Sequence, residues 1–260
     1  MKVVAIVQAR IGSTRLPGKV LMNLAGKPMI CFMLDRVAKS SAVDEIILAT
    51  GDGKDNDELA RVVSEHGYSV FRGSEDDVLA RYTGAAKSCS ADIIVRLTGD
   101  CPLIDPEVID QLVTIFIEGK YDYVTNVKPP TWPDGFDVSA FSSALLNDAN
   151  LKAERKSDRE HVVPWMWRMT PLEGGCAYRG INVSSNNDLS LHRWTVDELS
   201  DYEFVKRIVS EIPSDKDINF TLEDILKVLA NKPELMEINR GIIRDAGYKQ
   251  DLLKEDGSCV

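Results

Sequence analysis

Short apolar runs alternate with amphipathic stretches through the first 125 residues. Val3–Val7 is continuously apolar, the pattern of a strand buried on both faces. Met29–Lys39 carries its apolar residues at helical spacing. Asp44–Ala49, centred on Ile46, Ile47 and Leu48, reads as a strand again. The same reading gives a helix over Asp57–His66, a short strand over Tyr68–Phe71, and a helix over Asp76–Ser88. It then gives a strand over Asp92–Leu97, a helix over Pro106–Glu118 and a strand over Tyr121–Thr125. Strands separated by helices predict an α/β fold: a mostly parallel central sheet with helices on both faces.

The pattern then loosens. Lys128–Gly135 is a proline-rich loop. Ser142–Asn150 and Asp158–Met169 read as helices, and Ala177–Val183 and Leu189–Val196 as strands. Helices are predicted over Glu198–Ile212, Thr221–Leu229 and Pro233–Ala246. With no repeat and no low-complexity segment, residues 1–260 are taken as one domain. Residues 128–190 are long enough to form a sugar-binding or dimerisation subdomain at one edge of the sheet.

Composition narrows the classes. The chain has 260 residues, 44% of them hydrophobic, enough to bury a core without disulfides or structural metal. No run of 18 apolar residues exists, so a transmembrane helix is not expected. Met1–Ala9 lacks the length and cleavage site of a signal peptide. Lys and Arg number 31 against 41 Asp and Glu, a net charge of -10. That balance argues against nucleic acid or an anionic membrane as partner, but leaves room for a local basic site. Cys31, Cys89, Cys101, Cys176 and Cys259 are odd in number and widely spaced, with no CxxC. Reduced thiols in a cytoplasmic protein fit best.

Three segments carry chemistry. Gln8-Ala9-Arg10-Ile11-Gly12-Ser13-Thr14-Arg15-Leu16-Pro17-Gly18-Lys19 follows the first strand. It therefore lies at a strand's carboxyl end, where open α/β sheets bind ligands. Gly12 and Gly18 let the backbone approach a ligand, and Arg10, Arg15 and Lys19 gather three cations on one loop of an acidic chain. The obvious reading is a polyphosphate cradle. It is neither a Walker A loop nor G-x-G-x-x-G. In the second segment, Arg96–Asp105, a strand ends in Thr98-Gly99-Asp100. Asp100 is placed to hold Mg²⁺, which prefers one or two carboxylates with phosphate oxygens and water. Asp105 before Pro106 reads as a helix N-cap. In the third, Arg193-Trp194-Thr195-Val196-Asp197-Glu198, Asp197 is either a second metal ligand or, with Ser200 as the other choice, the cap of the next helix.

Taken in order, RLPGK, RGSEDDVL at Arg72–Leu79, RLTGDCPLIDP at Arg96–Pro106, PDGFDV at Pro133–Val138, REHV at Arg159–Val162 and RWTVD form a set. The set resembles the cytidylyltransferase family that activates acidic sugars, which includes CMP-Kdo synthetase and acylneuraminate cytidylyltransferase. Its likeness is strongest to the spore-coat polysaccharide biosynthesis cytidylyltransferase-like branch. The resemblance implies a glycosyltransferase-A-like nucleotide-binding fold. It also implies Mg²⁺-dependent transfer of CMP from CTP to a sugar hydroxyl. Ala9, Arg10, Gly12, Ser13, Arg15, Lys19 and Thr98 would meet the nucleotide, with Arg10, Arg15 and Lys19 on the triphosphate. Asp100 and Asp197 would hold the metal. Arg72, Gly73 and Ser74 would meet base and ribose. Asp134, Gly135, Asp137, Arg159 and His161 would face the sugar. The expected partners are CTP, a small acidic sugar and a second copy of the chain. Ser139 departs from the branch, whose members often carry an acidic residue there.

Other residues have plainer readings. Glu160-His161 near a helix start is a capping cluster or, for His161, a base or an acid-group contact. His192 is read as structural, and His66 as a helix stop. Trp132 is placed to stack on a sugar ring. Cys101 has no base motif beside it. Competing readings of the whole chain are a nucleotidyltransferase for another nucleotide or a sugar phosphate, a silent nucleotide binder, and a glycosyltransferase. Thr98-Gly99-Asp100 lacks the first acid of a DxD motif, which disfavours the last.

Overall fold

The computed structural model describes residues 1–242, 244 and 246–255; Cys259 lies outside them. A seven-stranded sheet organises the chain. Its strands are β1 (Val3–Gln8), β4 (Glu45–Gly51), β5 (Ser69–Gly73), β6 (Ile93–Thr98), β7 (Tyr123–Thr125), β8 (Ser139–Ser142) and β9 (Gly180–Asn182). Asn23–Leu24 (β2) and Lys27–Pro28 (β3) make a separate two-stranded ribbon. The sheet order is β5-β4-β1-β6-β8-β7-β9. β1 is parallel to β4 and β6, and β4 to β5. β8 runs antiparallel to both of its neighbours, and β7 is parallel to β9.

Alternation along β1 divides the core. Val3, Ala5 and Val7 face one side, with α1 (Met29–Val37), α2 (Asp57–Glu65), α4 (Pro106–Gly119), α8 (Leu199–Glu211) and α9 (Leu222–Asn231). Val4 and Ile6 face the other, with α3 (Val78–Ser88), α5 (Ser143–Lys152) and α7 (Pro164–Met169), and α6 (Lys156–His161) packs on α3. The fully buried Arg36 clamps the first layer. It donates to Ile104 O (3.1 Å), Ile218 O (2.5 Å), Leu103 O (3.3 Å) and Phe220 O (3.0 Å). Every one of its nitrogens is thus spent on backbone, which is what makes a buried guanidinium tolerable.

The first half matches the periodicity closely. The second half differs in four places. β8 has only the four residues Ser-Ala-Phe-Ser and no alternating signature, so pairing with β6 and β7 defines it rather than pattern. The helix expected over Asp158–Met169 is two six-residue helices. Pro164 cannot donate in a helix interior, and Val162 turns to φ 71. Leu189–Val196 is not a strand: Asp188 accepts from Ser190 N, His192 N donates to Leu189 O, and a turn results. One isolated bridge, Asp134 to Arg193, is all that remains of it. Of the helix expected over Pro233–Ala246, one 3-10 turn forms at Pro233–Glu237, and α10 runs over Ala246–Glu255 instead. Residues 128–190 give β8 and β9 to the main sheet.

Candidate active site

The carboxyl ends of β1 and β6 lie side by side, with Gln8 opposite Thr98. Gly99 N donates to Gln8 O (2.8 Å), drawing the two loops together. A Cβ on Gly99 would stand 2.7 Å from the Ala9 side chain, so only glycine allows this approach. A cavity of about 660 Å³ opens at these strand ends, within the usual size of a small-molecule site.

The floor of the cavity is a charge cluster. Lys19, only 7% exposed, donates from Nζ to Val196 O (2.7 Å), Asp197 Oδ1 (2.9 Å) and Asp100 Oδ2 (3.2 Å). Burial pushes the Lys19 ammonium down, but Asp100 and Asp197 outweigh it and hold the pKa above the ordinary lysine value. Burial likewise raises the Asp100 carboxyl, and Lys19 with Thr98 reverses this, so its pKa lies below the ordinary value. Arg15 Nη2 reaches Asp197 Oδ2 at 2.9 Å. Behind them Arg193 ties three carboxylates: Asp134 (2.8 Å), Asp197 (3.1 Å) and Asp201 (2.9 Å). Gly135 lets its loop close on this group. At φ 111, its missing Cβ would lie 2.7 Å from the Thr195 nitrogen.

The opposite wall is helical. Arg10 spans loosely between Glu75 (3.7 Å) and Glu160 (3.8 Å). His161 Nε2 meets Asp251 Oδ2 at 3.1 Å and packs edge-on against Tyr248. Glu160, His161 and Asp251 bring their ligating atoms within 4.8 Å of one another. In all, four cationic and four acidic side chains line the cavity.

Among the expected residues, Ala9, Arg10, Ser13, Arg15, Lys19, Thr98, Asp100, His161 and Asp197 all line this one cavity. Gly12, Arg72, Gly73, Ser74, Asp134, Gly135, Asp137 and Arg159 do not. Arg72 is turned away and bonded to Gly51 O, Gly53 O and Asp57. Arg159 holds Asp77 through Nε and Nη2 and also binds Asn150, locking α6 to α3. Asp137 pairs with Arg244, and Asp134 with Arg193. Trp132 is buried and donates to Val183 O, so it is a core residue rather than a stacking surface. His161 ends α6 instead of starting a helix. Asp105 does cap α4, through Glu107 N. The box that starts α8 is Glu198 with Asp201, which leaves Asp197 free of that duty. Cys101 is buried, and burial with Asp100 raises its thiol well above the usual range, the opposite of a nucleophile.

Gln8, Val78, Arg81, Glu160, Gly247 and Asp251 also line the cavity and were not among the expected site residues. Arg81 sits one turn from Val78 on α3, so the helical spacing held a clue. Asp251 had none, because only the docking of α10 on α6 brings it there.

Residues 4–241 match the family described as Cytidylyltransferase. The chain belongs to that family. It is therefore a nucleotidyltransferase, and the cytidylyltransferase has clear relatives. The spore coat polysaccharide biosynthesis protein SpsF of Bacillus subtilis is 30% identical over 239 residues, 88% of this chain and 94% of that one. A cytidylyltransferase structure from Leptospira borgpetersenii is 34% identical with TM-score 0.86, covering 94% of this chain and 100% of that chain. The structure of CMP:2-keto-3-deoxy-manno-octonic acid synthetase complexed with CTP shares the fold. Its TM-score is 0.62 at 20% identity, over 81% of this chain and 99% of that one. The mostly parallel sheet of this cytidylyltransferase is thus the nucleotide-sugar transferase-like α/β fold.

Proposed function

We propose that this cytidylyltransferase transfers CMP from CTP to a hydroxyl of an acidic sugar and releases pyrophosphate. The observation that carries the reading is the Lys19 ammonium held between Asp100 and Asp197, with Arg15 beside it, at the floor of the cavity. Asp100 Oδ2 and Asp197 Oδ1 both converge on the Lys19 ammonium, and both side chains are partly exposed. Once Lys19 turns to phosphate, these two carboxylates are the hard oxygen donors that would hold Mg²⁺ together with phosphate and water. Such a cation, when bound, neutralises phosphate charge and polarises the attacking hydroxyl.

The chain's own groups do the rest. Lys19 and Arg15 exchange carboxylate partners for the outer phosphates, and Arg10 and Ser13 complete the cradle. The sugar oxygen bonds to the α-phosphorus as the bond from that phosphorus to the bridging oxygen breaks. Pyrophosphate leaves, and the hydroxyl proton passes to water. Positioning and charge neutralisation suffice for this chemistry. The acceptor lies toward His161, a group on that wall able to meet a carboxylate. A sugar acid is favoured because the CTP-bound neighbour of the same fold is a synthetase for one. A role in polysaccharide biosynthesis follows the SpsF relative. A homodimer working in the cytoplasm completes the reading; among the described residues no helix is long and apolar enough to cross a membrane.

The test is a pyrophosphate-release assay crossing four nucleoside triphosphates with a panel of sugars, with Mg²⁺ or with a chelator. Release that requires CTP, a sugar acid and the divalent cation is the expected result. Release with another nucleotide, or with a sugar phosphate as acceptor, overturns the reading.

A further inference from the structure

The loop that carries Arg10, Arg15 and Lys19 has neither strand nor helix until Lys19 itself. Among the described residues, the main chain of residues 10–21 makes one hydrogen bond to a residue distant in sequence. Ile11 N donates to Asn56 Oδ1 at 3.0 Å. The Ile11 carbonyl, in turn, gathers the loop, accepting from Ser13 N (2.8 Å) and Gly18 N (3.1 Å). Gly18, at φ 71, then turns the chain into Lys19. One side chain thus holds the residue around which Arg10, Ser13 and Lys19 are arranged.

Asn56 is fully buried, at the end of the 3-10 turn Lys54–Asn56 that follows β4. Its Nδ2 donates to Glu75 Oε2 (3.0 Å) and to Asp55 Oδ1 (3.3 Å). Glu75 stands between β5 and α3. A carboxylate only accepts, so Glu75 claims the amide nitrogen and leaves Asn56 Oδ1 aimed at Ile11 N. The seat for this pair is Gly51. A Cβ there would fall on the Glu75 carboxylate and 2.8 Å from Asn56 Nδ2. The other Glu75 oxygen faces Arg10 Nη1 at 3.7 Å. The segments that follow β1, β4 and β5, three neighbouring strands, are joined through one amide.

We propose that Asn56, seated by Glu75 over Gly51, is the positioning residue of the phosphate-binding loop. It does not line the cavity and acts through Ile11. Its work is done before the nucleotide arrives. A loop already in the binding shape loses no affinity to reorganisation, whereas a loop in that shape for only a fraction of the time binds more weakly by that fraction.

This inference rests on the loop being the triphosphate cradle, and the experiment separates the two. Calorimetry measures pyrophosphate on the wild type, Lys19→Ala, Asn56→Ala, Gly51→Ala and the double variant Asn56→Asp with Glu75→Gln. Thermal unfolding is followed on each. The last three carry the wild-type net charge, so a change in affinity among them is not one of overall charge. Asn56→Ala strands Ile11 N and should weaken pyrophosphate roughly 5- to 150-fold in the folded protein. Gly51→Ala displaces Glu75 and should weaken it in the same direction. The double variant keeps an acceptor for Ile11 N and reverses the bond to residue 75, so it should recover most of the affinity that Asn56→Ala loses. Folded Asn56→Ala that melts lower yet binds pyrophosphate as the wild type does would make Asn56 merely structural and overturn the inference. A loss in the double variant as large as in Asn56→Ala overturns it too. If Asn56→Ala does not fold, Gly51→Ala decides, and wild-type affinity there overturns it. If Lys19→Ala leaves pyrophosphate binding untouched, the cradle reading itself fails and this inference with it.

Discussion

At the Lys19 end of the cavity Lys19 and Asp100 sit on segments that follow the adjacent parallel strands β1 and β6, whose register sets Gln8 against Thr98, and Asp197 joins them from the loop before α8. At the far end Glu160 and His161 come from a six-residue helix, and Asp251 from α10. The first end is fixed by main-chain hydrogen bonds in the sheet. The second is held mainly by side chains, through Arg159 on Asp77, His161 on Asp251 and Glu255 on Ser157. A catalytic cluster that must stay within a fraction of an ångström belongs on the sheet. The family match ends at residue 241, before α10 begins, so Asp251 lies beyond the part matched to the family.

This contrast can be broken or sharpened by experiment. The largest effect is expected at Arg193, which is 8% exposed at its side chain and joins Asp134, Asp197 and Asp201. Arg193→Leu strands buried carboxylates and should cost about 3–5 kcal/mol of stability, read from chemical denaturation. A loss below about 1 kcal/mol would remove that network from the account. Next comes Asp100→Asn, which keeps shape and removes charge. Turnover should fall roughly a hundred- to a thousandfold with the melting temperature little changed. Near-normal turnover at saturating Mg²⁺ would falsify the assignment of the floor. Third, Lys19→Ala and Arg15→Ala should weaken CTP by about 1.5–3 kcal/mol and CMP far less, because CMP lacks the outer phosphates. Equal losses for both ligands would move the triphosphate elsewhere.

The helical end should respond more weakly and in another currency. Arg159→Ala should lower stability by about 1–3 kcal/mol, since it frees Asp77 and loosens α6 from α3. Its KM for the sugar should move little compared with that of His161→Ala. The reverse ranking would return Arg159 to the sugar side and make the helical wall as exacting as the sheet.

How much of this was legible beforehand follows the same division. Val3–Val7 and Asp92–Leu97 are uninterrupted apolar runs, so their carboxyl ends, and with them Lys19 and Asp100, could be placed by pattern. Asp197 was placed at the end of an expected strand, but that strand is a turn near Ser190 followed by irregular chain; Val196 N still bonds Asp100 O (2.8 Å) and brings the Asp197 carboxylate to the floor of the cavity. Arg72 and Arg159 were expected to face ligands because the family resemblance placed them at the base and at an acidic sugar. Asp57 and Asp77, their partners, are distant in sequence, and no periodicity reports such pairings. Arg81 went unnoticed because its place one turn from Val78 marks a helix face but not, in one dimension, a buried guanidinium with an idle nitrogen. Residues 128–196 resisted reading because four-residue strands and six-residue helices are shorter than the windows over which a period can be seen.

The balanced lining of the cavity, four cations facing four acids, also bears on how fast a nucleotide arrives. A mouth whose positive charges are already matched projects little attractive field, and the whole chain carries -10. A nucleoside triphosphate thus diffuses toward a repelling body and gains its partners only after entry. The association rate should stay level or rise as salt goes from about 0.01 M to about 0.15 M, where screening shortens from about 30 Å to about 8 Å. Stopped-flow binding of a fluorescent CTP analogue measures it. A steep fall with salt, the mark of a steered encounter, would mean that the cavity opens its cations to solvent before the ligand comes.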